Sequence, residues 1–181
     1  FSRIVREALI LQRNAHPEIV FLTDALPLHG PKVRCDRRLV GQAITNLLQN
    51  AADAIAMTPK EGDGGAVSNI LNDHGGGHLP VSVRGHIEIA LHVEGQDAVL
   101  TVTDDGIGLP SADRHRLTEP YVTHKPKGTG LGLAIVKKIM EDHGGSIRLE
   151  DRVEGKGAVG ILTVPVADPT ETTARDEVGA A

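Results

Sequence analysis

Two glycine clusters, separated by residues 109–127, have the composition of a nucleotide-binding pocket. The first, Asp104-Asp105-Gly106-Ile107-Gly108, follows an apolar stretch, and the second, Gly128-Thr129-Gly130-Leu131-Gly132, precedes a helical pattern. Glycine allows positive φ and close approach of the backbone to a ligand. A helix N-terminus also presents free N–H groups to a phosphate. We therefore interpret the clusters as two halves of one pocket, in which the Asp104 carboxylate accepts a hydrogen bond from a base.

Neither cluster matches the common nucleotide motifs. The second has glycines at alternate positions without the third-glycine spacing of a dinucleotide fingerprint, and the G-x-x-x-x-G-K-[ST] phosphate loop occurs nowhere. Either cluster alone is more typical of a turn between elements. Only their combination favours a binding site.

A long helix is predicted from Asp36 to Met57, with Asp36 as its N-cap and a wide aliphatic face. Asn46 and Asn50 lie one turn apart on the opposite side of this helix. Asparagine is a middling helix former because its side chain competes for the backbone. Two asparagines in register therefore indicate either a polar ligand or a solvated helix face.

The other patterns predict the elements that position these residues. Helices are predicted at Ser2–Arg13, with Ser2 as the N-cap, and at Gly130–His143, ended by Gly144 and Gly145, and a short helix lies within 109–116. Strands are predicted at Glu18–Asp24, Val33–Cys35, His86–Val93, Ala98–Thr103, Ser146–Leu149 and Ala158–Val166. This order predicts an α+β fold, a two-layer sandwich with helices packed on one face of a mixed, mostly antiparallel sheet.

Two segments depart from these patterns. Residues 58–84 are rich in glycine and read as a flexible insertion in a catalytic domain spanning 1–167, and 168–181 reads as a disordered tail. His74, His78 and His86 fall in or beside the insertion, but flexible glycine-rich spacing supplies no preorganised metal geometry.

Composition restricts the class of protein. The net charge of −5 provides no basic stripe for nucleic acid. The single Cys35 excludes a disulfide framework and suits a reducing compartment. No apolar run reaches the length of a membrane span. A helical pattern is already under way at Phe1, so we expect the chain to be part of a longer protein.

Three segments together resemble the ATP-binding catalytic domain of bacterial sensor histidine kinases, within the superfamily that also contains gyrase, Hsp90 and MutL. They are NLLQNAADA at 46–54, VTDDGIGLP at 102–110 and EPYVTHKPKGTGLGLAIV at 119–136. The third segment is most similar to the nitrogen-regulation sensor kinases of the NtrB and NtrY types, and VREALILQR at 5–13 favours NtrY. The resemblance implies the histidine-kinase-type ATPase fold.

The resemblance also implies roles for the matched residues of the helix and the first cluster. Asn50 would bind Mg²⁺ between the phosphates of ATP, Asn46 would lie beside it toward the phosphate chain, and Asp104 would take the adenine amino group. The neighbouring residues would let the base approach: Gly106, Ile107 and Gly108.

For the region between the clusters, the resemblance implies a lid over the nucleotide. Tyr121 occupies the position of a phenylalanine in the family. The other residues implied in binding ATP are Thr123, Lys125, Lys127, Gly128, Thr129, Gly130, Leu131, Gly132 and Leu133. Near the last strand, Ala158-Val159-Gly160 replaces the Thr-Thr-aromatic sequence that is common in the family, which weakens an expected water-mediated contact with adenine.

Position 46 separates two chemistries within the superfamily. The hydrolytic members carry glutamate there as the general base on water, whereas the amide of Asn46 cannot accept a proton at neutral pH. Phosphoryl transfer to an imidazole then depends on positioning by Asn46 and Asn50 and on cations such as Lys125. A protein-histidine kinase is therefore favoured. The alternatives are an ATP-sensing module without catalysis and a hydrolytic ATPase.

The phosphoacceptor pattern H-[ED]-x-x-[NT]-P is missing from this chain. The resemblance implies that the γ-phosphate passes to a histidine in a dimerisation domain of the parent protein and then to a response regulator. Without that domain we expect a monomer. The resemblance further implies a cytoplasmic location for this domain and an inner-membrane sensor kinase as the parent.

Overall fold

The computed structural model describes residues 1–59, 82–112, 114–123 and 128–167. Within these ranges the helices are α1 (Ser2–Ala15), α2 (Arg37–Ala56) and α3 (Gly132–Asp142), with a short 3₁₀ helix at Arg114–Arg116. The strands are β1 (Ile19–Leu22), β2 (Gly85–Glu94), β3 (Asp97–Asp104), β4 (Ser146–Asp151) and β5 (Ala158–Pro165). Most of the predicted insertion, the predicted tail, His74 and His78 lie outside the described residues.

The strands form one five-stranded sheet in the order β1-β2-β3-β5-β4. β1 pairs with β2 in parallel, and the other three pairs are antiparallel, so the predicted mixed, mostly antiparallel sheet is confirmed. Along β2, buried Ile87, Ile89 and Leu91 alternate with more exposed residues. This period of two indicates that one face of the sheet is covered, as in a two-layer α+β fold.

Helix α2 occupies the centre of the helical layer, because it packs against α1, α3, β2 and β3. Its N-terminus is capped as predicted: the Asp36 carboxylate accepts hydrogen bonds from the backbone N–H groups of Arg38 and Leu39, at 2.8 and 3.0 Å. Its aliphatic face is fully buried at Val40, Ala43, Ile44 and Leu48. The helix that carries the two asparagines is therefore anchored in the core.

Three predicted boundaries are wrong. Phe1 rather than Ser2 is the N-cap of α1, and Ser2 lies inside the helix, buried beside Gly30. Val33 forms only an isolated antiparallel bridge with Val166, in place of the strand predicted at Val33–Cys35. Helix α3 begins at Gly132 rather than Gly130, whose φ of 68° is outside the helical region.

The end of α3 follows the prediction. Gly144 adopts a φ of 69° directly after the C-cap residue, and the N–H of Gly145 donates to the carbonyl of Met140 at 2.8 Å. This left-handed glycine turn satisfies carbonyls that the helix leaves free. Across the described ranges, none of the helices is both long and apolar enough to cross a membrane.

Candidate functional site

A cavity of about 310 Å³ lies between α2, the end of β3 and the segment that joins β3 to α3. Both glycine clusters contribute to its wall, and so do the ends of β4 and β5. The predicted site residues that line it are Asn46, Asn50, Asp104, Ile107, Gly108, Thr123, Gly128, Thr129, Gly130, Gly132 and Leu133. Sequence positions almost ninety residues apart are thus brought to one concave site, as expected for a ligand pocket.

The polar side of α2 faces this cavity. Asn46 and Asn50 are both half-buried and line it. Their amide oxygens are hard donors of the kind that Mg²⁺ accepts, usually together with water and phosphate oxygens.

Two further polar residues of α2, Gln49 and Asp53, line the cavity and were missed by the sequence analysis. Gln49 donates from its Nε2 to Oδ1 of Asp53 at 2.8 Å, and the Oε1 of Gln49 lies 3.3 Å from Nε2 of His16. His16 also lies 3.4 Å from Glu18. The sequence could have indicated this contact, because Gln49 and Asp53 are four residues apart in α2 and side chains at that spacing are neighbours on a helix.

Asp104 closes the bottom of the pocket at the end of β3. Its side chain accepts a hydrogen bond from the backbone N–H of Gly106 at 2.9 Å, and the residue is only 5% exposed. Burial raises the pKa of the Asp104 carboxyl to about 6, and the backbone N–H groups of Gly106 and Ala158 limit the rise by favouring the charged form. At neutral pH the group is therefore mainly an ionised acceptor, suited to an exocyclic amine.

The two glycines of the first cluster, Gly106 and Gly108, have different surroundings. Gly108 lines the cavity with a φ of 80°. Gly106 does not line it: a Cβ on Gly106 would lie 2.5 Å from the carbonyl carbon of Ala54 in α2. The next N–H, from Ile107, donates to the Ala54 carbonyl at 3.2 Å. Gly106 therefore permits close packing of this loop on α2.

The second cluster is joined to the segment that precedes it. The backbone N–H of Tyr121 donates to the Gly130 carbonyl at 3.0 Å, and a Cβ on Gly130 would lie 2.6 Å from the Tyr121 carbonyl carbon. Tyr121 itself has a φ of 65° and is 79% exposed, outside the cavity lining. Leu131 is the N-cap of α3 and does not line the cavity either. Lys125 and Lys127 lie outside the described residues.

The cavity carries negative charge. Asp53 and Asp104 line it, whereas no lysine or arginine does so among residues 1–59, 82–112, 114–123 and 128–167. Over the same ranges there is no cluster of three or more His, Cys, Asp or Glu placed to hold a metal ion. A metal in this pocket would therefore depend on an amide oxygen such as that of Asn50, completed by phosphate oxygens of a nucleotide.

The family model for histidine kinase-, DNA gyrase B- and HSP90-like ATPases matches residues 35–168. The chain belongs to this ATPase family. The match includes α2, both glycine clusters and all six of the described elements that follow α2, so the cavity lies within it. The fold predicted from the resemblance is confirmed.

Similar proteins include a nitrogen regulation protein and a histidine kinase. The nitrogen regulation protein NtrY of Azorhizobium caulinodans is 44% identical over 178 residues, which is 96% of this chain and 20% of NtrY. The chain thus spans about a fifth of the length of this relative. The catalytic domain of histidine kinase ThkA, solved in a nucleotide-free form, is 29% identical with a TM-score of 0.67, over 92% of each chain. ThkA has also been solved in complex with the response regulator TrrA, with 25% identity and a TM-score of 0.62 over 92% of this chain and 40% of that chain.

Proposed function

We propose that this chain is the ATP-binding catalytic domain of a two-component protein-histidine kinase. The observation that carries the proposal is a single cavity lined by Asn46 and Asn50 from α2, by the buried carboxylate of Asp104 and by the glycines that precede α3. The adenine amine would donate to Asp104, and the phosphates would extend toward the asparagines and the start of α3. Two similar proteins support the proposal by their names: NtrY is a nitrogen regulation protein and ThkA is a histidine kinase.

The residue at position 46 supports transfer rather than hydrolysis. A general base must accept a proton from water, and the amide of Asn46 cannot do so at neutral pH. No carboxylate lines the cavity at that position, one turn before Asn50. The γ-phosphate is then retained until an imidazole enters in line with it, and the catalysis is mainly a matter of positioning and charge neutralisation.

The proposal includes Mg²⁺ as the metal that accompanies ATP. When bound, Mg²⁺ neutralises phosphate charge and so lowers the repulsion that an attacking group meets. Asn50 would hold it through its side-chain oxygen, and Asn46 would orient the phosphate chain beside it. Thr123, Thr129 and the backbone of Gly128, Gly130 and Gly132 would contribute hydrogen-bond donors to the phosphates.

The partners follow from the reaction. The phosphate acceptor would be a histidine in a dimerisation domain of the same parent protein, and the phosphate would then pass to a response regulator. The complex of ThkA with TrrA supports the second step as an analogy. Because ATP and response regulators are intracellular, we place this domain on the cytoplasmic side of an inner-membrane parent, and we expect the isolated chain to be monomeric.

A transfer assay tests this function. The chain is mixed with γ-labelled ATP, Mg²⁺ and the histidine-bearing dimerisation domain of an NtrY-type kinase, and the label on the acceptor and the released phosphate are both followed. We expect label on the acceptor histidine and slow release of phosphate. Asn50→Ala should abolish transfer, whereas Gln42→Ala, on a different face of α2 away from the cavity, should not.

Each alternative predicts a different result. Rapid phosphate release without any acceptor would indicate a hydrolytic ATPase. Nucleotide binding with no label on any acceptor would indicate a sensing module. A complementary variant is Asn46→Glu, which restores a potential base, and we expect it to increase phosphate release at the expense of transfer.

A further inference from the structure

The side chain of Arg114 joins two parts of the chain that form the outer wall of the cavity. Its Nε donates to the carbonyl of Pro110 at 2.9 Å. Its Nη1 and Nη2 donate to the two carboxylate oxygens of Asp151, at 2.5 and 3.0 Å. One guanidinium therefore makes a bidentate pair with a strand residue and a third bond to the loop that contains it.

The position of this pair in the fold connects it with the pocket. Asp151 is the last residue of β4, which is the edge strand of the sheet, and Leu149 of the same strand lines the cavity. On the loop side, Pro110 lines the cavity, and so does the buried Leu117, whose N–H donates to the Arg114 carbonyl at 3.3 Å. Residues on both sides of the pair thus face the nucleotide space.

An ordinary surface ion pair is the competing interpretation, because the Arg114 and Asp151 side chains are 46% and 53% exposed. Exposed pairs with a single contact contribute little. The fork geometry distinguishes this pair, since a bidentate arginine–carboxylate contact fixes orientation as well as distance. The bond to Pro110 adds a third fixed direction.

A second ion pair in the same loop, Arg116–Glu119, can be compared with Arg114–Asp151. Arg116 and Glu119 form a pair at 2.9 Å with nearly the same exposure, 48% and 47%. Both members of that pair belong to the loop, so it cannot connect the loop with the sheet. Arg114–Asp151 spans 37 positions of sequence and does connect them.

We propose that Arg114 is a positioning residue for the nucleotide, which braces the loop carrying Pro110 and Leu117 against the edge strand β4. This inference rests on the proposed function, because it requires that the cavity bind an adenine nucleotide. The brace holds the apolar outer wall at the distance from β4 and β5 that the base requires. Loss of the brace is expected to weaken nucleotide binding without unfolding the domain.

Calorimetric titration with ADP and Mg²⁺ tests the brace on the whole chain. We expect Asp151→Asn and Arg114→Lys each to raise the Kd about three- to tenfold, because neither can form the charged fork. The matched control is Glu119→Gln, which also removes one carboxylate charge from an arginine pair, here within the loop, and it should leave the Kd unchanged. Melting temperatures measured without nucleotide verify that all variants are folded.

A double-mutant cycle makes the test specific to the pair. Asp151→Asn combined with Arg114→Ala should cost no more than Arg114→Ala alone, because the two residues act through one contact. The effect of Arg114→Ala should also shrink at high salt, which screens the exposed pair in the wild type.

The outcomes separate the brace from the function on which it rests. Equal changes of Kd in Asp151→Asn and Glu119→Gln, or additive effects in the cycle, would overturn the brace while leaving nucleotide binding intact. Absence of ADP binding by the wild-type chain would overturn the proposed function and, with it, this inference.

Discussion

Acidification is expected to release the nucleotide through protonation of Asp104. The ionised carboxylate accepts a hydrogen bond from the adenine amine more strongly than the protonated carboxyl group does, and burial raises its pKa to about 6. With that value, about nine-tenths of the free domain is competent at pH 7 and about one-tenth at pH 5. Because the apparent Kd scales inversely with the competent fraction, we expect the Kd to rise by up to about tenfold over this interval.

The same group affects stability in the opposite direction. Its pKa in the folded chain lies above the ordinary value of 3.8, so the folded state binds the proton more tightly than the unfolded state. The free energy of unfolding of the nucleotide-free domain should therefore fall as pH rises between about 4 and 6, by up to about 3 kcal/mol from this group. Low pH is thus expected to stabilise the nucleotide-free folded domain against unfolding and, at the same time, to weaken its binding of nucleotide.

The assay is a calorimetric titration with ADP and Mg²⁺ at intervals between pH 5 and 7.5, on the wild type and on Asp104→Asn. The variant does not titrate at this position, so its pH profile reports the protonation of ADP itself and of other groups. We expect weaker binding by the variant at pH 7 and a flatter profile. Parallel profiles for the two proteins would refute Asp104 as the acceptor, whatever their absolute affinities.

Three other substitutions test the pocket. Asn50→Ala should remove the gain in ATP affinity that Mg²⁺ provides, as measured by titration with and without the metal, while an unchanged gain would exclude Asn50 as a ligand. Gly130→Ala should destabilise the wall of the cavity that Gly130 forms with Tyr121 by about 1–2 kcal/mol and so weaken nucleotide binding, because φ is 68° and the Tyr121 backbone leaves no room for a Cβ. Titration with ADP measures the effect, and binding as tight as that of the wild type would contradict it. Gly106→Ala should lower the free energy of unfolding by about 1–3 kcal/mol through collision with the α2 backbone, and chemical denaturation measures it.

The local elements were largely predictable because their signals are local. Asp36 precedes a long aliphatic periodicity, and Gly144 follows one, so α2 and the end of α3 could be located from the sequence. The isolated bridge at Val33 could not be distinguished from a strand, since its partner, Val166, lies at the other end of the domain. The parallel pairing of β1 with β2 is likewise a non-local contact.

Several residues that line the cavity could be selected from the sequence, but their packing could not. Asn50 and Asp104 were selected because an amide on a helix and a carboxylate at a strand end suit a nucleotide. Gly106 and Gly108, by contrast, are the same residue type in the same cluster, and the sequence does not distinguish their environments. Only the approach of α2 shows that one of them faces Ala54 and the other the cavity. Arg114 carried no signal in the sequence, because its partner Asp151 lies in a different hairpin.

The floor of the cavity has a consequence for folding. Leu47, Ala51 and Val102 line the cavity and also belong to the buried hydrophobic core, so ligand and core share a surface. A nucleotide in this cavity would therefore behave as a removable part of the core and would raise the unfolding temperature of the entire domain. At a concentration one hundred times its Kd, a ligand that binds only the folded state adds about 2.7 kcal/mol to stability.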